Sequence, residues 1–584
     1  MFRCLQHPLV IPQDRSSLCA YLINIFIQSK GLARCARLRK VMTELQSINQ
    51  TPEEVPGDGV SKEQDMVVED VVFKEQEMTT PDIHGILEQL EKARDTYKEH
   101  AEVEDPPTMA ELIGWYLYGL STYFIQTVLV PVLFPLIVAQ VASPTDGIPP
   151  SLTHTSRNIQ CAKQEMLLYQ VLVDDSIRVH ASKFSPLRWV AVSWSVAILI
   201  AFPLIVHTAH HLDRNGGWSH TIILSCTAIV GPLSCILTGF FQTTWLFPIY
   251  IILVVLASTI GAAVHGRNLS LIVHGLVSHS YINKQPFQWR KSKTSWLSSA
   301  STALGCIGAM IIAAFTYHML RRDDALTSLW VVSIFSGLLW VLGISHAFLT
   351  RRPGVSLQSS SPWLCLPSIS KYPHAIGGLA STFFSSFSSS CIFATTVLFV
   401  VGSLCIKPLI VLAMWLIYFT IPAFALPLLH PVLQSLIKTD AVRMQLLGLF
   451  MSALSSGIGF YFRDDNWHEA HILMVALLQG GAVGLLHAFG QVLVTDCSPR
   501  GKEGAFSAWY AWLRAAGACV GFTVAVVFPG NVGTTFGLSF LSVVLGALVL
   551  VFGNTSHWRG AVSAGHVKEI QETASPVNGL SIFP

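Results

Sequence analysis

Long apolar runs separated by short polar stretches fill the chain from residue 112 to residue 553. About 20 apolar residues in a helix are enough to cross the ~30 Å hydrocarbon core of a bilayer. Lipid offers no partner to an open backbone group, so each crossing must be helical. The pattern predicts twelve spans, at 112–141, 187–208, 219–240, 244–265, 296–320, 326–349, 380–404, 408–430, 443–462, 470–494, 506–528 and 534–553.

The composition requires lipid as the solvent. The 584 residues are 51% hydrophobic and 12% charged, with a mean hydropathy of +0.51. Soluble domains carry about 25% charged residues. The net charge of +2 gives no reason to expect a nucleic-acid partner. We therefore expect an all-α, polytopic membrane protein.

The flanking segments differ in charge. Residues 1–41 form a basic extension, with seven Lys or Arg against one acid, and fit either a transit peptide or sequence upstream of a start at Met42. Residues 42–110 are acidic and predicted to be a largely disordered cytosolic segment, with a short amphipathic helix at 81–100. Two six-helix halves, at 111–350 and 376–554, are predicted on either side of a basic linker, with a tail after them. The linker covers 351–375 and the tail covers 555–584.

Loop charges predict the topology. When the short loops are assigned alternately to the two sides, one side receives fourteen Lys or Arg and the other receives four. The positive-inside rule then places both chain ends in the cytosol. The loop at 266–295 contributes five of the fourteen, and the mixed-charge loop at 142–186 is too long to follow the rule closely.

A short motif follows the second span. Asp213 and Arg214 resemble the Asp-Arg pair in the G-x-x-x-D-R-x-G-R-R loop of the major facilitator superfamily. Ala209 replaces the leading glycine, and Gly217-Trp218 replaces the trailing basic pair. The resemblance implies a bundle of six plus six helices in which Asp213 and Arg214 act in gating at the cytoplasmic end.

A second resemblance narrows the family. Residues 111–118, E-L-I-G-W-Y-L-Y, resemble the opening of the first span in the autophagy-linked vacuolar amino-acid effluxers. Pro499, Gly501, Glu503, Phe506 and Tyr510 match that branch's P-x-G-x-E-x-x-F-F-G-L-Y segment, although Ser507-Ala508-Trp509 replace its Phe-Gly-Leu. The resemblance implies amino-acid export from the vacuole after autophagy, and a place in the vacuolar membrane. The seventh span does not show the expected pattern.

Polar groups at membrane depth are the candidate substrate-binding residues. A central Arg costs ~2.5–3.5 kcal/mol on insertion scales, so Arg514 is a candidate for a substrate carboxylate. A structural ion pair, or a side chain reaching to the interface, is the alternative. Three further candidates on the tenth span are Gln479, His487 and Gln491, because spacings of eight and four residues place them on one face of the helix. His487 could also carry a proton. Hydrogen bonds between helices are the alternative for these. The predicted set is Arg514, Gln126, Gln479, His487 and Gln491.

Motifs for catalysis and nucleotide binding are absent from the sequence. The sequence has no Walker-type phosphate-binding loop, no glycine fingerprint of a dinucleotide-binding fold and no G-x-S-x-G nucleophile elbow of a hydrolase. It also has no Cys/His spacing that is typical of a zinc site. We therefore predict a secondary transporter of small solutes with no cofactor or bound metal, and not an enzyme. Two alternatives stay open. One is a non-transporting membrane scaffold or receptor in autophagy or trafficking. The other is a lipid enzyme using the polar loop of Asp464, Asp465, His468, Glu469 and His471.

Overall fold

The computed structural model of the chain describes the membrane region and its near flanks. The described residues are 105–142, 169–179, 182–214, 216–241, 243–278, 286–323, 329–350, 352, 371–404, 408–436, 440–463, 467–553 and 555–566. The predictions for the basic extension at 1–41, for the acidic segment up to residue 104 and for the amphipathic helix at 81–100 lie outside them, as does the end of the tail from 567.

Twelve helices in the described residues are long and apolar enough to cross a membrane, which confirms the predicted all-α polytopic bundle. Six precede the predicted linker, and six begin near its end or after it. The helices are α1 (Met109–Ala142), α2 (Pro186–Arg214), α3 (Gly216–Phe240), α4 (Phe247–Ser278), α5 (Pro286–Asp323), α6 (Leu329–Leu349), α7 (Pro373–Gly402), α8 (Pro408–Leu436), α9 (Ala441–Tyr461), α10 (Glu469–Asp496), α11 (Glu503–Val527) and α12 (Val532–Phe552). A short helix, α13 (His557–Ser563), follows them.

Helix α1 changes geometry in its middle. Residues Ile125–Leu133 form a π-helical segment between two α-helical ones. Pro131 lies inside this segment. A proline ring clashes with the carbonyl four residues earlier in a regular α-helix, and the wider π turn relieves that clash. The segment contains Gln126, which the sequence singled out.

The predicted loop at 266–295 is wrong for most of its length, because α4 continues to Ser278 and α5 begins at Pro286. The hydropathy pattern ended both spans at basic residues. Two of these, Arg267 and Arg290, are buried inside the protein. Arg290 donates to a carboxylate oxygen of Asp496 at 3.0 Å, so its charge is paired and the helix continues through it.

Helix α7 begins at Pro373, inside the predicted linker and seven residues before the predicted span. Proline suits the first turn of a helix, where its missing N–H leaves no bond unmade. Two of the serines in α7 bond to the helix itself. Ser385 donates to the carbonyl of Thr382 at 3.0 Å, and Ser389 donates to that of Ser385 at 2.7 Å.

The predicted loop at 142–186 contains local structure. Strands β1 (Ile177–Val179) and β2 (Ser182–Phe184) pair antiparallel, with Ile177 opposite Phe184. Both lie immediately before α2.

Helices of the two halves meet along two seams. Helix α11 packs against α2 and α4, and α5 packs against α8 and α10. Within the second half, α7 and α11 approach closely at Gly517 and Gly521, where a Cβ would meet the carbonyl oxygens of Phe383 and Phe387. Between the seams, α1 and α7 face each other across the centre of the bundle.

Candidate functional site

A central cavity lies between the two halves. It contains about 700 Å³ of empty space, including the part open to solvent. Its walls come from α1 in the first half and from α7, α8, α10 and α11 in the second. Three of the five predicted substrate-binding residues, Gln126, His487 and Arg514, line this one cavity.

Arg514 is the charged group of the cavity. Among the described residues that line it, Arg514 is the only Lys, Arg, Asp or Glu. Its guanidinium carbon lies 5.6 Å from the centroid of the Tyr123 ring, which is cation–π geometry. Within the part of the chain that the structure describes, no carboxylate forms a salt bridge with it. The guanidinium therefore has its donors available for an anionic group in the cavity.

His487 is held by two tyrosines. The Tyr510 hydroxyl donates to the backbone carbonyl of His487 at 3.2 Å and lies 3.5 Å from its Nδ1. The Tyr123 ring lies 5.1 Å from the imidazole, centroid to centroid. His487 thus shares Tyr123 as a neighbour with Arg514.

Gln126 points from the π-helical segment of α1 toward α4. Its Nε2 donates to the hydroxyls of Ser258 and Thr259, both at 3.0 Å. These two partners were not predicted from the sequence. They lie 132 and 133 residues away, and each is one hydroxyl among many in an apolar helix.

A row of hydroxyls on α7 forms the opposite wall. Its members share one face of the helix: Thr382, Ser385, Ser386, Ser389 and Ser390. Thr382 donates to the carbonyl of Gly378 at 2.9 Å, in the same manner as Ser385 and Ser389 bond to their own helix. A hydroxyl whose hydrogen is used in this way presents lone pairs to the cavity.

Gln479 and Gln491 lie outside the cavity lining. Gln479 is buried and donates to the Ser452 hydroxyl of α9 at 3.2 Å. The Oε1 of Gln491 lies 3.5 Å from the Ser298 hydroxyl of α5, beside a smaller cavity of about 220 Å³. Twelve residues on an α-helix amount to a rotation of about 120°, which is wide enough for the two glutamines to face different neighbours.

The bundle is closed at the end where α10 ends and α11 begins, called the closed end below. Asp213, in the last turn of α2, accepts the backbone N–H groups of Gly504 at 2.7 Å and Ala505 at 3.0 Å, one with each carboxylate oxygen. These N–H groups belong to the first turn of α11, where the helix dipole favours an anion. A Cβ on Gly504 would overlap the Asp213 carboxylate, so glycine is needed for this approach. Arg214, the other predicted gating residue, is exposed beside it.

Other polar contacts join the halves at the closed end. Asp496 accepts from Arg290, Ser298 donates to the carbonyl of Ala488 at 2.8 Å, and Ser507 donates to that of Ala263 at 2.6 Å. All are buried. Each bond can be exchanged for water if the halves separate.

The segment after α12 packs onto the closed end. His557 of α13 lies between two carboxylates, with Nε2 2.8 Å from Asp496 and Nδ1 3.1 Å from Asp440. Its neighbour Trp558 packs edge-on against Phe287 of α5 at 4.7 Å. The sequence predicts only a tail at 555–584, because no local pattern reveals a buried histidine between two distant acids.

Burial alone lowers the pKa of His557, but its hydrogen bonds to Asp440 and Asp496 and their charges outweigh it, and the pKa is raised. Burial works to raise the pKa of Asp440, yet the bond from His557 and the charges of His557 and Lys291 bring it below its usual value. The two shifts agree with an imidazolium ion bridging two carboxylates.

Glu111 and Arg352 form an ion pair where α1 begins. Arg352 donates from Nε and Nη2 to the two carboxylate oxygens at 2.7 and 3.1 Å, a bidentate arrangement. Glu111 opens the motif that suggested the effluxer resemblance, and Arg352 lies just after α6. The pair fixes the start of α1 to the end of α6.

The polar loop before α10 is described only in part, since residues 464–466 lie outside the described residues. The Nδ1 of His471 accepts the backbone N–H of His468 at 3.2 Å, which caps the first turn of α10. Within the described residues, no group of three or more His, Cys, Asp or Glu side chains is arranged to hold a metal ion.

No protein-family model matches the sequence, and no curated protein matches it either. The architecture does match solved structures. The human organic anion transporter MFSD10 (TETRAN) is 13% identical, with a TM-score of 0.50 over 76% of this chain and 100% of that chain. The fold is of the major-facilitator type. A bacterial homologue of the iron transporter ferroportin in an outward-facing state is 12% identical, with a TM-score of 0.49 over 76% of this chain and 98% of that chain.

The likeness to MFSD10 confirms the predicted fold, a twelve-helix bundle of the major-facilitator type. Identities this low carry no information about substrate. The resemblance to the vacuolar amino-acid effluxers therefore stays a prediction, and so do the roles of the individual site residues.

Proposed function

We propose that this protein is a secondary transporter that carries a small carboxylate-bearing solute across the membrane by alternating access. Arg514 is the observation that carries the proposal. It is a cation at membrane depth, beside a cavity in which no described residue supplies a carboxylate. Keeping a central Arg in a membrane costs ~2.5–3.5 kcal/mol on insertion scales, so its retention without an ion pair favours a role in binding.

The architecture supports the transport cycle. In such bundles the two halves rock about a site near the middle of the membrane. Here the cavity lies between the halves, and its closed end is held by hydrogen bonds and ion pairs such as Asp213 to Gly504 and Arg290 to Asp496. Contacts of this kind can be remade with water when that end opens.

Amino acids are the proposed substrates. The guanidinium of Arg514 can donate two parallel hydrogen bonds to a carboxylate. The hydroxyl oxygens on the α7 wall of the cavity can accept hydrogen bonds from an amino group. The sequence resemblance adds export from the vacuole in connection with autophagy. Cytosolic chain ends, proton coupling and His487 as the proton carrier belong to the same proposal.

Reconstitution in liposomes tests the proposal. Uptake of labelled amino acids, driven by an imposed proton gradient, is measured for the wild type, for Arg514→Lys and for Arg514→Gln. Loss of a charged hydrogen bond worth ~1.5–3 kcal/mol should lower kcat/KM about 10- to 100-fold in Arg514→Gln. The kcat/KM of Arg514→Lys should lie between those of the wild type and Arg514→Gln. Lysine keeps the positive charge but cannot donate two parallel hydrogen bonds to a carboxylate.

The matched control is Arg188→Gln, which removes an exposed Arg paired with Asp175 far from the cavity. Its uptake should equal that of the wild type. Uptake that survives Arg514→Gln unchanged would remove the basis of the proposal, as would a failure of every carboxylate solute to be transported.

A further inference from the structure

The side-chain amide of Gln126 has a fixed orientation. Both hydroxyls that it contacts have already used their single hydrogen. Ser258 donates to the carbonyl of Val255 at 3.0 Å, and Thr259 donates to the same carbonyl at 2.7 Å. Each can only accept from Gln126, so the amide must turn its NH₂ group toward α4.

This orientation leaves one function for the rest of the amide. An amide NH₂ has two hydrogens, and the two hydroxyls use both. The Oε1 atom remains as an acceptor on a residue that lines the cavity. Toward a ligand in the cavity, Gln126 can therefore accept a hydrogen bond but has no hydrogen left to donate.

Gln126 lines the same cavity as the cation, Arg514. It is three residues from Tyr123, about 4.5 Å along a helix axis, and the Tyr123 ring carries the guanidinium of Arg514. A donor-only group and an acceptor-only group thus line the same cavity. In an α-amino acid the carboxylate and the ammonium group are attached to the same carbon, so one molecule can meet both.

We infer that Gln126 is the residue that selects for an amino group on the substrate, and that Ser258 and Thr259 are positioning residues that fix its amide. The inference rests on the proposed function and names the substrate class, a neutral zwitterionic amino acid. A second carboxylate would meet the acceptor oxygens of Gln126, Ser385 and Ser389. A second cation would be repelled by Arg514.

Ligand-induced thermal stabilisation of the purified protein tests this without interference from passive leakage. The probes are the neutral L-amino acids, each compared with the carboxylic acid that lacks only the amino group. In the wild type, each bound amino acid should have an affinity about 10- to 100-fold higher than its deaminated partner, the value of one hydrogen bond to a charged group.

The variants separate positioning from folding. Gln126→Met removes this acceptor at similar size and should lower the affinity ratio several-fold while leaving the affinity for the deaminated acid unchanged. Ser258→Ala combined with Thr259→Val frees the amide to turn and should lower the ratio in the same direction. Ser336→Ala and Thr227→Val are matched controls. Each removes a buried hydroxyl that donates to a carbonyl of its own helix, and neither should change the ratio.

The outcomes distinguish the two proposals. If deaminated acids bind as tightly as amino acids, or if Gln126→Met weakens both classes equally, the inference about Gln126 is wrong and the carboxylate transporter survives. If neither class binds the wild type, the proposed function fails together with it.

Discussion

Arg514 of α11 and Tyr123 of α1 are in cation–π contact across the central cavity, at 5.6 Å from guanidinium carbon to ring centroid. The contact joins the two halves of the bundle at the level of the cavity. The electron-rich face of an aromatic ring stabilises a cation without neutralising it. Arg514 is thereby held in place with its N–H donors still directed to the cavity.

The ring of Tyr123 should therefore matter more than its hydroxyl. Tyr123→Phe keeps the ring and should bind a carboxylate ligand as the wild type does. Tyr123→Leu removes the quadrupole, worth about 0.5–2 kcal/mol, and should weaken binding about 3- to 30-fold. Titration of thermal stabilisation gives both affinities. Equal loss in the two variants would assign the effect to the hydroxyl and contradict the cation–π interpretation.

The contact of Asp213 with the first turn of α11 should hold the closed end shut. Asp213→Asn replaces one carboxylate oxygen by an NH₂ group, which cannot accept the N–H of Gly504 or Ala505. We expect the closed end to open more often. Cys497 reports this, because it is buried at that end with Gly560 packed on its sulfur, and burial raises the pKa of its thiol. On opening, the pKa returns toward its usual range and the thiolate reacts.

The measurement is the rate at which N-ethylmaleimide modifies Cys497, followed by mass spectrometry of the peptide that contains it. The rate should rise about tenfold or more in Asp213→Asn, since two charge-assisted bonds are affected. Asp175→Asn, which alters an exposed carboxylate near the opposite end, should leave it unchanged. A modification rate in Asp213→Asn equal to that of the wild type would show that Asp213 does not hold the closed end shut.

The sequence predicts the twelve spans because lipid imposes a strict length and polarity on each one. The ends of α4 and α5 could not be predicted, because a hydropathy window treats every Arg as solvent-exposed. Arg290 is buried through its bond to Asp496, 206 residues away. Pairing over such distances leaves no local signal.

The same limit applies to the candidate site. Arg514, His487 and Gln126 could be selected as polar residues at membrane depth, and the structure places them around one cavity. Gln479 and Gln491 have the same signature and face other helices. Which neighbour a polar face meets depends on how the helices are arranged, and helical spacing alone does not encode that.

His557 should make the stability of the closed end depend on pH. Both of its ring nitrogens face carboxylate oxygens, which only accept, so the bridging form is the imidazolium ion. Its pKa is raised, so its contribution is complete below the unfolded value of about 6.5 and is lost as pH rises through the folded value. The lowered pKa of Asp440 keeps that partner ionised in this range.

The measurement is the difference in Tm between the wild type and His557→Gln from about pH 5.5 to pH 9. The wild type should be the more stable at the acid end, and the difference should shrink as the pH rises. His566, whose pKa is held low by burial and by Arg290, is present in both proteins, so its own titration cancels. A difference that is constant or grows with pH would contradict the imidazolium bridge.

The packing of α7 on α11 should depend on the absence of a side chain at Gly517. A Cβ there would meet the backbone carbonyl of Phe383, which cannot move as a side-chain end could. Gly517→Ala should therefore force the two helices apart and cost about 1–3 kcal/mol, seen as a lower Tm in detergent. Gly457→Ala is the control, because its Cβ would make only ordinary contact with Phe540 at 3.6 Å. Since alanine favours helix by about 1 kcal/mol over glycine, this variant should be neutral or more stable. If both substitutions shifted Tm equally, helix propensity rather than the approach of α7 to α11 would explain the result.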